Sequence, residues 1–186
     1  MNFNKTIISA FFCLLTTNSF AQKTSIQDLK EKISAYQIND TTKLKLLLNV
    51  SSKYLNQQID SALKYANESK ILATKLKIRK FELEAYEYLG RAHAGKGNFK
   101  EALLIFQKEE LLATSSAEKS QTIRNQGNIL IELGQTNQAI TTYLRSLEFA
   151  NLSHDKFTIA ATLNNIAYVY RQQAKYEEAI SYLLKA

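Results

Sequence analysis

The chain has 186 residues, 45% of them hydrophobic, and a formal net charge of +7 from 24 Lys and Arg against 17 Asp and Glu. It contains no proline, five glycines and one cysteine, Cys13. Because proline interrupts helices by removing a backbone donor, its absence favours an all-helical chain with short connections. A single cysteine excludes an internal disulfide and a zinc site built from several thiolates.

The amino terminus is predicted to be a secretory signal peptide, residues 1–21. Lys5 precedes an apolar run at 6–15, and the small residues of the segment 19–21 mark a cleavage site. The run is shorter than the about 20 apolar residues that span a bilayer. Cys13 lacks the small preceding residues of a lipoprotein site, which favours secretion over lipid anchoring. We therefore expect an extracytoplasmic mature protein, either periplasmic or secreted.

The next residues, 22–40, are predicted to form a tail and a short capping helix. An apolar face runs along 26–38, at Ile26, Leu29, Ile33 and Tyr36. Such a helix would cover the end of a repeat array. Asp40 or Thr41 is placed to cap the following helix, whose partner helix we expect at 59–77.

The later helices are predicted from their turn and capping residues. Turns are expected at 95–97 and 134–135, because both segments contain glycine. Asn98, followed three residues later by Glu101, resembles a capping box at the start of the next helix. Asp155 is placed to cap a further helix.

The segment 163–186 carries the pattern of two tightly joined helices. Its first apolar or small stripe holds Leu163, Ile166, Ala167 and Tyr170, and its second holds Tyr176, Ala179, Ile180 and Leu183. Two helices joined so closely lie antiparallel. The order of these residues resembles a tetratricopeptide (TPR) repeat, in which small residues such as Ala167 and Ala179 lie where the two helices touch.

The same pattern recurs upstream, so that small residues of the second helices stand at regular intervals. They are Ala62, Ala102, Ala139 and Ala179, spaced 40, 37 and 40 residues apart. The usual TPR period is about 34 residues, which indicates longer helices here. A period near 40 also fits HEAT or armadillo repeats, but these lack the Gly/Ala–Tyr–Gly–Tyr–Ala order.

The resemblance implies an all-α fold, a TPR-type α-solenoid of antiparallel helix pairs over 41–186. Four repeats are expected, at 41–78, 79–115, 117–153 and 155–186, the last one truncated. The residues expected to pack the helices together are Gly90, Ala102, Gly127, Ala139, Ala167 and Ala179. Because the last helix would lack about two turns relative to the third repeat, we expect the chain to be a fragment of a longer protein.

In TPR proteins the first helices of successive repeats line a groove that holds a peptide or a partner helix. By position, the groove residues here are Glu87, Arg91, Arg124, Asn128, Glu132, Asn164, Tyr168 and Arg171. Arginine in such a groove would make bidentate contacts to carboxylates. Arg124, Asn128 and Asn165 also overlap part of the carboxylate clamp of chaperone-binding TPR domains. The remaining basic residues of that clamp would lie on an absent repeat.

No catalytic, metal or cofactor site is predicted. The segment 90–97 matches the GxxxxGK of a phosphate-binding loop, but Gly97 replaces the Ser or Thr that holds magnesium, and a helix precedes it. His93 and His154 stand alone, without a second ligand at metal-binding spacing. The basic run at 75–80 lacks a nucleic-acid motif, so we interpret it as a solvated surface, with an anionic partner as the alternative.

The predicted function is an exported TPR scaffold that binds a protein or peptide partner through the groove, without catalysis, cofactor, metal or nucleic acid. The Asn-Asn-Ile-small-x-x-Tyr element at 164–170 also looks like the exported N-terminal TPR regions of bacterial sensor histidine kinases and transcriptional regulators. In those proteins the repeats precede a transmembrane helix and an output module. The alternative is thus the sensory region of a truncated kinase or regulator, attached to the membrane by a segment beyond residue 186.

Overall fold

The computed structural model describes residues 26–186, which form nine helices and no strand. Residues 26–35 form α1, and the other helices are α2 Thr41–Tyr54, α3 Ile59–Leu76, α4 Arg79–Gly95, α5 Phe99–Leu112, α6 Ser116–Glu132, α7 Thr136–Leu152, α8 Lys156–Gln172 and α9 Tyr176–Leu183. The predicted all-α class is confirmed. The predicted signal peptide at 1–21, which includes Cys13, and the tail residues 22–25 lie outside the described residues.

The helices stack as four antiparallel pairs, α2/α3, α4/α5, α6/α7 and α8/α9. Each helix from α2 onward contacts the next one along the chain. The first helices α2 and α4 also contact each other, as do α6 and α8. Within the described range, the second helices of neighbouring pairs make no comparable contact. In a curved stack the inner helices lie closer together, so the first helices form the inner face of the predicted α-solenoid.

In two of the helix pairs a small residue on the first helix faces a large aromatic residue on the second. In the second pair Gly90 faces Phe106, and in the third Gly127 faces Tyr143. A Cβ atom on Gly90 would lie 2.5 Å from the Phe106 ring, and one on Gly127 would lie 2.4 Å from the Tyr143 ring. Both rings are 2% exposed, so neither has solvent space into which it can retreat. The two glycines are therefore required by the close approach of an aromatic ring.

The small residues of the second helices occupy closed positions in the core. Ala102, Ala139 and Ala179 are buried, and Ala139 lies in a cluster with Leu130 and Tyr143. A larger side chain at such a position forces its neighbours from their preferred conformations, because protein interiors are close-packed.

We expect Ala139→Leu to lower the free energy of unfolding by about 1–3 kcal/mol, because the added methyl groups overpack the contact between α6 and α7. Urea denaturation measures this loss. Thr141→Leu is the matched control, since Thr141 is exposed on the same helix; its effect should stay within about 0.5 kcal/mol. A melting temperature unaltered by Ala139→Leu would contradict the predicted register of the repeats.

Two of the predicted helix caps are present. The Asp40 carboxylate accepts hydrogen bonds from the backbone amides of Thr42 and Lys43, at 2.9 and 3.1 Å. Asp155 accepts from the amide of Thr158 at 3.1 Å. Each carboxylate satisfies donors that a helix start otherwise leaves free. These two caps are confirmed.

The capping box predicted at Asn98 and Glu101 is wrong. The Asn98 side chain makes no capping bond, its ψ is 60°, and its amide closes the preceding helix by donating to the carbonyl of His93 at 2.9 Å. The capping box lies instead at Ser115 and Glu118, where each side chain accepts from the backbone amide of the other residue. Ser115 has the extended backbone that is typical of capping residues, with ψ at 155°.

The helix predicted over 26–38 ends earlier, at residue 35. The chain needs the following residues to connect α1 with the cap of α2, and the Tyr36 hydroxyl donates to that capping carboxylate, Asp40, at 2.9 Å. Along α1, Ile26, Leu29 and Ile33 belong to or contact the core cluster of the first pair. The segment therefore packs on the core at the first pair.

Candidate partner-binding groove

The eight predicted groove residues fall on three first helices, α4, α6 and α8, and so on the inner face of the solenoid. Five of them are exposed and three are half-buried. The exposed ones are Arg91, Glu132, Asn164, Tyr168 and Arg171, and the half-buried ones are Glu87, Arg124 and Asn128. The half-buried residues lie nearer to the floor of the groove, where bonds within the protein decide what each can offer to a partner.

The Asn128 side chain is held in one orientation by two neighbours. Its Oδ1 accepts a hydrogen bond from the Tyr143 hydroxyl at 2.8 Å and another from Asn165 Nδ2 at 2.9 Å. Burial raises the pKa of Tyr143, so the hydroxyl keeps its proton and remains a donor. A side-chain amide has one acceptor and one NH₂ group. Because the acceptor is occupied, Asn128 presents its NH₂ group to a partner.

Arg124 lies one helical turn before Asn128 and has no direct counterion. It takes part in none of the ion pairs found within residues 26–186, and its buried Nε has no hydrogen-bond acceptor. Burial lowers the pKa of its guanidinium, while Tyr143, Glu87 and Asp155 oppose that shift from a distance. A charged group that has lost part of its water without gaining an acceptor favours an anionic or carbonyl group from outside.

Glu109, on α5, is a buried carboxyl group that was not among the predicted site residues. It is 6% exposed, and its Oε2 has no hydrogen-bond partner. Burial, together with the nearby Glu87 carboxylate, raises the pKa of Glu109 to about 8. Glu87 itself pairs with Arg91 at 3.3 Å. The sequence held one signal that this position is buried. The residue at the equivalent position of the first repeat is Ser69, which is small.

The end of α8 carries an aromatic and a cationic side chain that contact each other. The Arg171 guanidinium lies 5.3 Å from the centre of the Tyr168 ring, within cation–π distance. Gln172 donates to the Tyr168 hydroxyl at 2.7 Å. Both predicted residues are exposed, so this part of the groove offers a flat, polar surface with one aromatic face.

A cleft of about 460 Å³ opens between α4 and α6 and brings together three of the predicted residues, Arg91, Asn128 and Glu132. The remaining lining residues are Ala94, Phe99, Phe106, Asn125 and Ile129. The cleft has room because α4 and α6 make no contact comparable with that between α2 and α4. It therefore has a polar mouth and a floor of aromatic and aliphatic side chains.

A second cleft, of about 270 Å³, lies between α2 and α4 and was missed entirely. It is lined by Lys45, Leu48, Asn49, Ser52, Phe81, Glu84 and Tyr88. Forty residues before Glu87 and Arg91, at the spacing between Ala62 and Ala102, stand Leu47 and Ser51, both of which are buried. The register of the later repeats therefore points into the core of the first repeat rather than at its surface.

The residues considered for other chemistry have structural roles. The segment 90–97 ends a helix and turns at Gly97, whose φ of +76° favours glycine. His154 is an exposed turn residue. In the basic run, Arg79 pairs with both carboxylate oxygens of Glu118, at 2.8 and 3.0 Å. Within residues 26–186 no group of His, Cys, Asp or Glu side chains is placed to hold a metal ion.

The fold and this inner face define a helical-repeat protein with a polar groove. A family model described as tetratricopeptide repeat matches residues 118–186, and one described as the SusR N-terminal TPR domain matches residues 19–109. The chain therefore belongs to the tetratricopeptide repeat proteins, and the resemblance read from its sequence is confirmed.

Several known proteins are similar over part of their length. Outer dynein arm-docking complex subunit 4 of Xenopus laevis is 30% identical over 127 residues, which is 67% of this chain and 23% of that protein. A Rap protein solved in complex with Competence and Sporulation Factor gives a TM-score of 0.74 at 16% identity, over 89% of this chain and 49% of that one. A signal-transduction ATPase with a TPR sensor from Pyrococcus horikoshii gives 0.74 at 19% identity, over 92% and 27%. The chain thus spans less than half of each, and the two structural matches show the fold.

Proposed function

We propose that this protein is an exported scaffold that binds a protein or peptide partner along its inner groove and performs no catalysis itself. The observation that carries the proposal is the row of available polar groups on the inner face. Two donors occupy the oxygen of Asn128, so its NH₂ group is the part of the side chain that it can offer to a partner. Arg124 has no direct counterion. Both groups suit a polypeptide, whose backbone carbonyls and carboxylates accept hydrogen bonds from them.

The comparisons support the same class of partner. The Rap protein, which shares this fold, was solved in complex with Competence and Sporulation Factor. Export rests on the amino-terminal sequence, with Lys5, the apolar run at 6–15 and the small residues at 19–21. Sequencing the amino terminus of the protein recovered from its source tests export, and a start at Gln22 is the expected result. A start at Met1 would contradict it.

We expect Arg124→Glu combined with Arg171→Glu to weaken partner binding at least tenfold while leaving the helix content unchanged. The two changes reverse the charge at two points of the groove and repel a partner's carboxylates. The probe is a set of peptides selected from a random display library on the wild-type protein, with affinities measured by fluorescence anisotropy. Circular dichroism reports the helix content.

The matched control is Lys75→Glu with Lys108→Glu. These two lysines are exposed on the second helices α3 and α5, so the net charge changes equally while the groove stays intact. The control should keep the affinity within about twofold. Unchanged affinity in the groove variant, or equal losses in both variants, would refute binding through the groove.

The alternative is that the chain is the sensory region of a histidine kinase or transcriptional regulator. The match of residues 19–109 to a domain described as N-terminal in SusR favours it. Ile180, Leu183 and Leu184 on and after α9 are 56%, 54% and 83% exposed, an apolar face of the kind that a further repeat covers. Within the described range no helix is long and apolar enough to cross a membrane. Sequencing the source locus past the codon for Ala186 tests the alternative, which requires a membrane span and an output module there.

A further inference from the structure

The outer faces of α3 and α5 carry exposed apolar side chains. Ile71 on α3 is 57% exposed, and Leu111 on α5 is 87% exposed. They lie nine residues after the buried residues Ala62 and Ala102, respectively. Nine residues make about two and a half helical turns, so both side chains point away from the contacts with α4. Leu104, seven residues before Leu111 and 50% exposed, lies on the same stripe of α5.

Lysines stand between and beside these apolar side chains. Lys108 lies between the two leucines of α5, four residues after the first and three before the second, and so shares their stripe. Lys75 lies four residues after Ile71, and Lys77 follows the end of α3. All three lysines are exposed, and none takes part in an ion pair within residues 26–186. We call the whole set the basic–apolar surface, formed by Ile71, Lys75, Lys77, Leu104, Lys108 and Leu111.

The two halves of this surface meet at one edge of the solenoid. Both α3 and α5 pack antiparallel to α4, so they run parallel to each other. The Arg79 side chain, at the start of α4, donates to the carbonyl of Leu112, at the end of α5, at 3.1 Å. Because α4 begins three residues after the end of α3, both carboxyl-terminal ends lie beside Arg79. Two neighbouring parallel helices present a flat outer surface rather than a groove.

Acidic residues around the basic–apolar surface contribute little free negative charge. Glu110 pairs with Arg145 of α7, and Glu118 pairs with the arginine at the start of α4. Glu68 on α3 and Glu82 on α4 are both half-buried. The three lysines therefore give this part of the outer face an excess of positive charge.

The third helix pair does not continue the surface. The residue 37 positions after Leu111, at the spacing between the buried alanines of α5 and α7, is Glu148, which is exposed. Glu148 lies four residues from both Leu144 and Leu152, so the exposed apolar side chains of α7 stand beside a negative charge. The combination of apolar side chains with lysines is thus a property of the first two pairs.

We propose that the basic–apolar surface docks the protein on an anionic lipid bilayer. Clustered lysines attract anionic headgroups, and leucine and isoleucine side chains gain free energy when they leave water for the boundary of the acyl chains. Lysine suits this place because its apolar stem can lie along the boundary while the ammonium group stays among the headgroups. The groove lies on the inner face of the solenoid, so it stays open in the docked protein.

The residue types favour a bilayer over a protein partner. The cores of protein–protein interfaces are enriched in aromatic residues and arginine and are depleted in lysine. The basic–apolar surface has lysine, leucine and isoleucine, without an aromatic residue or an arginine. Its apolar side chains are separated by charges, and a fluid bilayer receives such separate tips without a matching pocket. A flat pair of helices also matches the flat surface of a membrane.

Co-sedimentation with lipid vesicles tests the docking surface. We expect the protein to bind vesicles of phosphatidylcholine with one-third phosphatidylglycerol at least tenfold more tightly than vesicles of phosphatidylcholine alone. Added salt should weaken the binding, because it screens the charges. Equal binding to both kinds of vesicle, or binding to neither, would overturn the proposal.

Ile71→Gln with Leu111→Gln removes two apolar tips without a change of charge and should weaken binding to the anionic vesicles at least tenfold. The matched control is Leu144→Gln with Leu152→Gln, which removes exposed apolar side chains from α7 and should keep the binding within about twofold. Circular dichroism verifies that both variants are folded. Equal losses in the two variants would exclude a specific role for the outer faces of α3 and α5.

Lys75→Glu with Lys108→Glu should also weaken the binding at least tenfold, because it places negative charge against anionic headgroups. The matched control is Lys156→Glu with Lys185→Glu, at exposed positions of the fourth helix pair and its end. It changes the net charge equally and should keep the binding within about twofold, since the screening length is about 8 Å at physiological salt. Equal losses would mean that net charge alone attracts the protein, against the proposal.

Two comparisons separate the bilayer from other partners. If polyglutamate binds without lipid and both surface variants lose that binding, the occupant is an acidic polypeptide and the bilayer is refuted. The peptide assay of the groove contains no lipid, so Lys75→Glu with Lys108→Glu should lose vesicle binding there while keeping peptide affinity. Absence of vesicle binding leaves the proposed function standing, and failure of the groove variant leaves the docking surface standing.

Discussion

Gly90→Val combined with Phe106→Ala should destabilise the protein by less than the sum of the two single substitutions. Phe106→Ala alone removes a ring that is 2% exposed and should lower the free energy of unfolding by about 3–5 kcal/mol. Gly90→Val alone places new carbon atoms where the Phe106 ring stands, since a Cβ there lies 2.5 Å from it, and should cost about 1–3 kcal/mol. In the double variant, the valine occupies part of the space that the ring has left.

The first repeat provides the precedent for this exchange. Val50 and Ala66 stand 40 residues before Gly90 and Phe106, and both are fully buried. At these two sequence positions the first repeat thus has the large residue on the first helix and the small one on the second. We expect a coupling energy of about 0.5–3 kcal/mol in favour of the double variant.

Urea denaturation of the wild type, the two single variants and the double variant gives this coupling energy. As a control, Gly90→Val is paired with Leu163→Ala, a buried residue two repeats away on α8. Those two changes should add to within about 0.5 kcal/mol. Additive losses for Gly90 and Phe106 would show that the two positions do not share one volume.

The repeat architecture was predictable because helix contacts leave a mark in the sequence. Where two helices approach closely, only small residues fit, so Ala62, Ala102, Ala139 and Ala179 recur at spacings of 40, 37 and 40. That signal depends on residue size alone, so it remains visible where the other residues of the repeats differ. It gave the all-α solenoid without knowledge of any tertiary contact.

The predicted cap at Asn98 failed because capping depends on backbone angles as well as residue type. Asn98 and Ser115 are both good capping residues in composition. Only Ser115 has the extended ψ of 155° that brings its side chain onto the following amides, whereas Asn98 has a ψ of 60°. The tight turn at Gly97, which closes α4, leaves Asn98 with that angle.

The candidate site was predictable in position but not in chemistry. The resemblance to TPR repeats placed Arg124 and Asn128 on the inner face, yet it could not show that Asn128 is oriented by Tyr143 from a second helix. The clefts depend on gaps between helices, and a gap is a property of neighbours rather than of any one residue.

Glu109 should make the protein lose stability as the pH rises from about 4.5 to about 8. Its pKa is about 8 in the fold against an ordinary value of 4.5, because burial and the Glu87 carboxylate oppose ionisation. Between these values the unfolded chain releases the proton while the folded chain retains it, so rising pH favours unfolding. The difference of about 3.5 pKa units corresponds to roughly 5 kcal/mol at about 1.4 kcal/mol per unit.

The pH window separates this effect from those of the other shifted acids. The pKa of Glu118 is lowered to about 2 by the Arg79 guanidinium, and that of Asp155 is lowered by Thr158. Acids of this kind stabilise the fold above their unfolded pKa and lose that contribution as the pH falls. Their contributions therefore disappear below about pH 4, on the other side of the window in which Glu109 acts.

Glu109→Gln isolates the effect because it keeps the size and hydrogen-bonding capacity of the side chain and removes its titration. Urea unfolding at pH 5 to 9 should show the wild type losing stability steadily to pH 8, while the variant loses much less and is the more stable protein at pH 9. Glu101→Gln, an exposed position on the same helix, should behave like the wild type. A Glu109→Gln curve parallel to that of the wild type would mean that Glu109 ionises normally in the fold. Since whole domains are stable by only about 5–15 kcal/mol, a buried acid of this strength would dominate the alkaline limit of the protein.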